Sequence, residues 1–286
     1  KADGSVWVDL REDGLDEKIL LRADGTAVYI TQDIGTAIER YHDFAFHSMI
    51  YTVADEQDYH FKVLFLILKK LGYDWADRCH HLSYGMVTLP SGKMKSREGT
   101  VVDADDLMDK MEQTATEIAQ ERGKAGHDDE RSKIVGIGAL KYQLLKVDPR
   151  KTVLFDPNES IDFQGKTGPF IQYTFARIQS LGKKYGAPIA FPQQPVTMHA
   201  TERTLIKKSL DYQNHLLAAA QQRDPAILAN YLYDLVKTYN TYYQETPILQ
   251  ETKDDIRAFR VALSHHVAHI AQKVATLLGM HMPHTM

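Results

Sequence analysis

Nine residues, Gly92-Lys93-Met94-Lys95-Ser96-Arg97-Glu98-Gly99-Thr100, set three cations at alternate positions between two glycines. Cations so spaced can clamp a polyphosphate, whose developing charge in phosphoryl or adenylyl transfer must be neutralised, and the glycines let such a loop close. A solvated basic hairpin would show the same spacing, and charge alone leaves both readings open. His265 and His269 stand one helical turn apart, a spacing that can hold a metal. They lie off the apolar stripe Leu263, Val267, Ile270 and no carboxylate completes a ligand set, so a polar helix face is favoured and no metal site is expected.

The basic loop needs a strand to deliver it, and the first ~100 residues alternate short β-branched runs with helical patterns, as in a parallel βαβ sheet. Ala27-Val28-Tyr29-Ile30-Thr31 reads as a strand and Ile34 to Tyr41 as a helix with Ile34, Ala37, Ile38 and Tyr41 on one face. Met49 to Val53 is a second strand, and Tyr59 to Leu71 an apolar helix closed by Gly72. Leu82 to Leu89 reads as a third strand ending at Pro90-Ser91-Gly92. Loops at the strand C-termini share the sheet edge where open α/β folds bind ligands.

From Asp103 the pattern turns helical. Helices are expected from Asp103 or Asp105 to about Glu121, and from about Glu130 to Lys146, with an extended Thr152-Val153-Leu154-Phe155 after them. Four more follow at roughly 170–185, 201–222, 225–244 and 252–278. Their apolar residues recur every three or four, as in Leu228, Leu232, Leu235, Tyr239 and Tyr242.

With 286 residues there is room for two ordinary domains, and the single cysteine, Cys79, excludes an intramolecular disulfide or a zinc site built on paired thiolates. No apolar run reaches the ~18 to 20 residues of a membrane span, so no membrane partner is expected. Alternating charges rather than an apolar stretch follow Lys1, and a cytoplasmic location is expected. Residues 1–160 carry 21 basic and 29 acidic side chains, a charge of −8, whereas residues 161–286 carry 13 and 9, a charge of +4. The basic C-terminal part is the one suited to a polyanion.

The loop from Gly92 to Thr100 resembles the KMSKS loop of class I aminoacyl-tRNA synthetases, and the chain around it is similar to the arginyl-tRNA synthetases over nearly its whole length. The resemblance rests on Leu21 to Thr26, Val28-Tyr29-Ile30-Thr31-Gln32-Asp33, Ile50 through Gln57-Asp58-Tyr59-His60, Gly85-Met86-Val87, Phe163 to Tyr173, and the ending Leu278 to Met286. It implies condensation of arginine with ATP to arginyl-adenylate, then transfer of the amino acid to the 3′ end of tRNA(Arg). It implies that Tyr29, Asp33 and Gln57 face the substrate arginine, where Asp33 can offer a guanidinium two carboxylate oxygens. From the residues alone, Asp33 equally serves as N-cap of a helix starting at Ile34, and Tyr29 as a half-buried strand aromatic.

The resemblance further implies ATP contacts at His60, at Met86 and Val87, and at Lys93, Lys95 and Ser96 of the loop, with ATP arriving as its Mg2+ complex. The loop departs from the family pattern: its lysines are Lys93 and Lys95, and Ser96 stands where the second lysine is usual, so Lys93, Lys95 and Arg97 are the candidates for the catalytic role, with Lys95 able to take over the phosphate contact. In the helical part the family reads the anticodon, which implies tRNA contacts at Asn240, Tyr243 and Met286, while Tyr239 and Tyr242 lie on the apolar stripe. The family's His-x-Gly-His signature does not occur in the sequence, and with no initiator Met the chain is expected to begin inside its nucleotide-binding fold and to be inactive alone.

The fold expected is α/β followed by all-α: the second half of a Rossmann-like parallel sheet over residues 1–160, then an antiparallel helical anticodon-binding bundle over 161–286. A monomer with no tightly bound cofactor is expected. An RNA-binding module built on a spent scaffold is the rival reading, and it gives no reason to keep Tyr29, Asp33, Gln57 and the basic loop together.

Overall fold

The computed structural model describes residues 1–90, 103–121, 129–194 and 196–286. Its first unit, Lys1–Met86, opens with Val6–Val8 (β1) paired antiparallel to Lys18–Leu21 (β2). After β2 the chain turns at Asp24, whose Oδ1 accepts from both the backbone N–H and the hydroxyl of Thr26, with Gly25 left-handed at φ 79°. A helix follows at once, Tyr29–Phe44 (α1).

That start corrects the strand expected at 27–31. Val28, Tyr29, Ile30 and Thr31 favour a strand locally, but the helical spacing of Ile34, Ala37 and Tyr41 extends back to Ile30, which is buried in the same core. Thr31 also donates its hydroxyl to the Leu20 carbonyl at 2.5 Å, tying the first turn to β2. Val28 is the N-cap, so Asp33 lies within the helix and does not cap it.

Met49–Ala54 (β3) leads through a short 3-10 turn, Asp55–Gln57, into Asp58–Lys70 (α2), and the chain returns as Cys79–Tyr84 (β4) parallel to β3, with Met49 opposite Cys79 and Ala54 opposite Tyr84. Helix α2 forms because Phe61, Val63, Leu64, Ile67 and Leu68 bury one wide face. It stops at Gly72, whose φ of 89° lets its N–H reach the Lys69 carbonyl and that of Tyr73 reach the Leu68 carbonyl. The core is closed by Trp75, stacked on Tyr41 at 5.0 Å and met edge-on by Phe46 at 5.6 Å.

The single strand expected at 82–89 is two. Gly85 interrupts it, and Val87–Thr88 (β5) pairs instead with a strand of the second unit, Val87–Met286. In that unit Ala104–Glu121 (α3) and Asp129–Leu145 (α4) pack through Met111, Ala115, Val135 and Ala139. Val153–Leu154 (β6) runs parallel to β5, and Pro157–Ser160 (α5) follows. Residues 87–160 thus cluster with the helices after them, and the two compact units are Lys1–Met86 and Val87–Met286.

Gly168–Tyr185 (α6), Ala200–Leu210 (α7), Tyr212–Gln222 (α8), Pro225–Glu245 (α9) and Asp254–Leu277 (α10) complete the chain. Each start of α6 and α9 carries its signal in sequence: Thr167 and Asp224 accept from backbone N–H groups ahead of Pro169 and Pro225. The one helix expected over 201–222 is broken at Asp211, where Ser209 has turned its hydroxyl onto the Leu205 carbonyl at 2.9 Å. The break lets α7 and α8 both pack on α9. Tyr239 and Tyr242 are fully buried among Phe175, Leu235, Leu263 and Val267, as their place on the apolar stripe requires.

Candidate functional site

In the first unit two helix starts converge. Tyr29 and Asp33 lie four apart on α1 and so share a face; Gln57, the N-cap residue of α2, and His60 are three apart. Nε2 of His60 stands 2.6 Å from Oδ2 of Asp33, which joins the two pairs. The Asp33 side chain keeps 46% of its surface open to solvent, and Tyr29 is 84% exposed. Gln57 is exposed, and its side chain makes no hydrogen bond among the described residues. An ionised carboxylate flanked by a phenol and a carboxamide suits a planar cation, which donates two parallel hydrogen bonds to the carboxylate and finds further acceptor oxygens on its neighbours.

Beside this face, His81 is nearly buried, with Nε2 at 2.9 Å from the Val53 carbonyl and Nδ1 at 3.2 Å from Asp58 Oδ1. Its ring packs on Phe61 at 4.3 Å, so it stiffens the entry to α2. Met86 is exposed at the end of the first unit and Val87 is half-buried at the start of β5 in the second. Lys93, Lys95, Ser96 and Arg97 fall outside the described residues.

In the second unit a cavity of about 580 Å³ opens between α3, α4, α6, α9 and the chain end. Asn240 and Met286 both line it, with Arg131, Tyr173, Arg177 and Gln244. Asn240 accepts from Arg177 Nη1 at 2.8 Å and donates to the Thr174 hydroxyl at 2.9 Å. The Arg177 guanidinium lies 4.8 Å from the Tyr173 ring centroid and 5.1 Å from that of Tyr243, both rings being more than a third exposed. Tyr243 thus belongs to the same wall, and a second groove beyond it is lined by Lys184, Gln244 and Gln250. Rings, a flat cation and amides set together can stack on unpaired bases and bond their edges.

The tail reaches this cavity because three contacts pin it. Lys141 Nζ donates to the Gly279 carbonyl at 2.6 Å, buried Gln172 donates to the His281 carbonyl at 2.9 Å, and the His284 ring packs on Phe175 at 5.8 Å. Arg177 and Tyr173 were not singled out from the sequence. Their signal was present as a cation one turn after an aromatic in Tyr173-Thr174-Phe175-Ala176-Arg177, but the Asn240 that Arg177 bonds lies 63 positions away on α9.

Burial lowers the pKa of His265, whose ring occupies the space a side chain at Gly182 would need. Among the described residues, the group of three metal-type donors within reach of one another is Glu39, His42 and Asp43, all exposed on α1, and neither His265 nor His269 belongs to it.

Residues 1–156 match the family model for the catalytic domain of class I (R) tRNA synthetases, and residues 171–286 match the DALR anticodon binding domain. The chain is 56% identical over 290 residues to an arginine–tRNA ligase of Flavobacterium psychrophilum, covering 99% of the chain and 48% of that protein. With one of Porphyromonas gingivalis it shares 53% over 295 residues, 100% of the chain and 49% of the relative. The chain therefore spans about half the length of the curated relatives it matches. Among solved structures it superposes on the Thermus thermophilus arginyl-tRNA synthetase with a TM-score of 0.87 at 27% identity, over 99% of this chain and 54% of that one. Arginyl-tRNA synthetase from Plasmodium falciparum has the same fold at a TM-score of 0.83 and 20% identity, over 96% and 48% of the two chains.

Proposed function

The chain belongs to the class I arginyl-tRNA synthetases, and from that premise we propose that it carries the arginine-binding face and the anticodon-reading part of an arginine–tRNA ligase. The reaction runs in two steps. A carboxylate oxygen of arginine attacks the α-phosphorus of ATP, bound as its Mg2+ complex, and pyrophosphate leaves. The terminal ribose hydroxyl of tRNA(Arg) then attacks the activated carbonyl; its oxygen forms the new ester bond and loses its proton, and AMP leaves with the electron pair of the broken acyl–phosphate C–O bond.

Asp33 takes the guanidinium of the substrate, flanked by Tyr29 and Gln57. The observation that carries this reading is the half-open Asp33 carboxylate on the same helix face as exposed Tyr29 and bridged to the start of α2. Main-chain groups at Met86 and Val87 receive the adenine, and Lys93, Lys95, Ser96 and Arg97 meet the phosphates, with the cations neutralising the departing pyrophosphate. Asn240, Tyr243 and Met286, joined by Arg177 and Tyr173, hold anticodon bases. Among the described residues no helix is long and apolar enough to cross a membrane, and we place the enzyme in the cytoplasm, as a monomer.

Arginine-dependent exchange of pyrophosphate into ATP, measured on the protein at its full natural length with tRNA(Arg) present, tests the reading. Asp33→Ala should abolish exchange while tRNA affinity stays within about twofold. Exchange that survives the substitution, or that lysine supports as well as arginine, rejects the assignment of Asp33.

A further inference from the structure

His60 is placed by resemblance among the ATP contacts, yet its geometry ties it to the amino-acid side of the site. Its Nε2 lies 2.6 Å from Asp33 Oδ2, and its side chain is less exposed than that of Asp33, 25% against 46%. An ionised carboxylate only accepts, so the proton in this bond sits on Nε2 of the imidazole. That nitrogen is thus committed to Asp33, which leaves only Nδ1 for any other partner.

We infer that His60 is a positioning residue for arginine recognition, acting through Asp33. The inference rests on the reading of Asp33 as the guanidinium ligand. An aspartate on an exposed helix face turns freely between rotamers and can also fold back onto backbone groups. The bond from His60 holds Oδ2 at one point and so fixes the plane of the carboxylate. It uses one of about four lone-pair directions, leaving the rest for the two parallel N–H groups of a guanidinium. His60 is itself held: it sits in the first turn of α2, and its ring meets Phe61 edge-on at 5.5 Å, Phe61 being buried in the core. The rigid unit core is thereby coupled to a half-exposed substrate ligand, which a recognition site needs to keep its geometry.

The test is steady-state pyrophosphate exchange on the full-length protein with tRNA(Arg) present, reading KM for arginine and for ATP separately. His60→Leu should raise KM for arginine about tenfold, the cost of one charge-assisted hydrogen bond, and leave KM for ATP within about twofold. His60→Gln puts an amide N–H near the position of Nε2 and should recover most of the loss. His60→Asn is too short to reach Oδ2 and should behave like His60→Leu. The Gln and Asn variants keep a polar residue of similar character, so they decide the matter even where His60→Leu folds poorly. A raised KM for ATP with an unmoved KM for arginine, or equal behaviour of Gln and Asn, overturns the inference. Asp33→Asn separates the two readings: if it leaves KM for arginine unchanged, the arginine site itself is misplaced, whereas a large effect of Asp33→Asn with silent His60 variants rejects only the positioning role.

Discussion

Arg177 donates an Nη1 hydrogen to Oδ1 of Asn240 at 2.8 Å, and this bond joins α6 to α9 at the rim of the cavity that also receives Met286. The amide of Asn240 is fixed from its other end by the Thr174 hydroxyl, and the guanidinium it accepts from lies 4.8 Å from the Tyr173 ring centroid and 5.1 Å from that of Tyr243. A planar cation positioned beside two rings resembles the stacking platforms that hold unpaired bases.

Arg177→Met should therefore weaken tRNA(Arg) binding by about 1 to 3 kcal/mol, the range found for one lost stacking group. Arg177→Lys should recover little, because an ammonium is a point charge and cannot present a planar face beside the rings or offer a fork to Asn240. Filter binding at two salt concentrations checks this. Recovery by lysine to wild-type affinity would mean that only charge matters at this position.

Glu202 is fully buried and accepts from Arg260 Nε at 2.7 Å, while Arg260 Nη1 serves both Glu251 Oε2 and the Pro247 carbonyl at 2.7 Å. One guanidinium thus ties α7 and α10 to the connection between α9 and α10. Arg260→Met leaves a buried carboxylate without its partner and should cost about 3 to 5 kcal/mol in urea unfolding, whereas replacing Glu202 and Arg260 together by methionine should cost far less. Equal losses in the single and double variants would show that the pair acts only by filling space.

Gly138 shows how the cavity depends on a distant contact. A Cβ there would run into the buried amide of Gln172, which donates to the carbonyls of Ile134 and His281. Gly138→Ala should therefore cost about 1 to 3 kcal/mol as overpacking and also release the segment that carries Met286. Amide hydrogen exchange should quicken over residues 280–286, and tRNA affinity should fall with it. Unchanged exchange in the tail would show that Lys141 and His284 suffice to hold it.

Much of this was legible in the sequence because it is local. The apolar spacing in α2, α9 and α10, the glycine after Leu71 and the Asp224-Pro225 start each encode their element within a few residues. The misread positions are those where packing outweighed local preference. Val28 to Thr31 favour a strand but start a helix because Ile30 is wanted in the core, and with that shift Asp33 moves from a cap to an interior helix face. The division of 82–89 into two strands is marked only by Gly85. Asp33 and His60 are 27 positions apart and Arg177 and Asn240 are 63 apart, so no spacing rule announces either pair.

Cys79, the chain's single cysteine, opens β4 opposite Met49 and is buried, and burial pushes its thiol up to about 11. In the unfolded chain a thiol ionises near ~8.5. Between these values the unfolded state releases a proton that the folded state keeps, so stability is full below about pH 8.5 and is lost as pH rises toward 11. Tyr51, in the same core, is raised by burial too and adds to the loss at the upper end of that range. Cys79→Ala should remove the lower part of the alkaline decline: urea midpoints of the wild type and variant should run in parallel up to about pH 8.5 and separate above it. A thiol reagent at neutral pH should modify the wild type only at the rate of unfolding of the first unit, since the neutral, enclosed sulfur is a poor nucleophile. Fast labelling in the folded state, or identical alkaline slopes in the two proteins, would place the thiol at the surface instead of under β3 and α2.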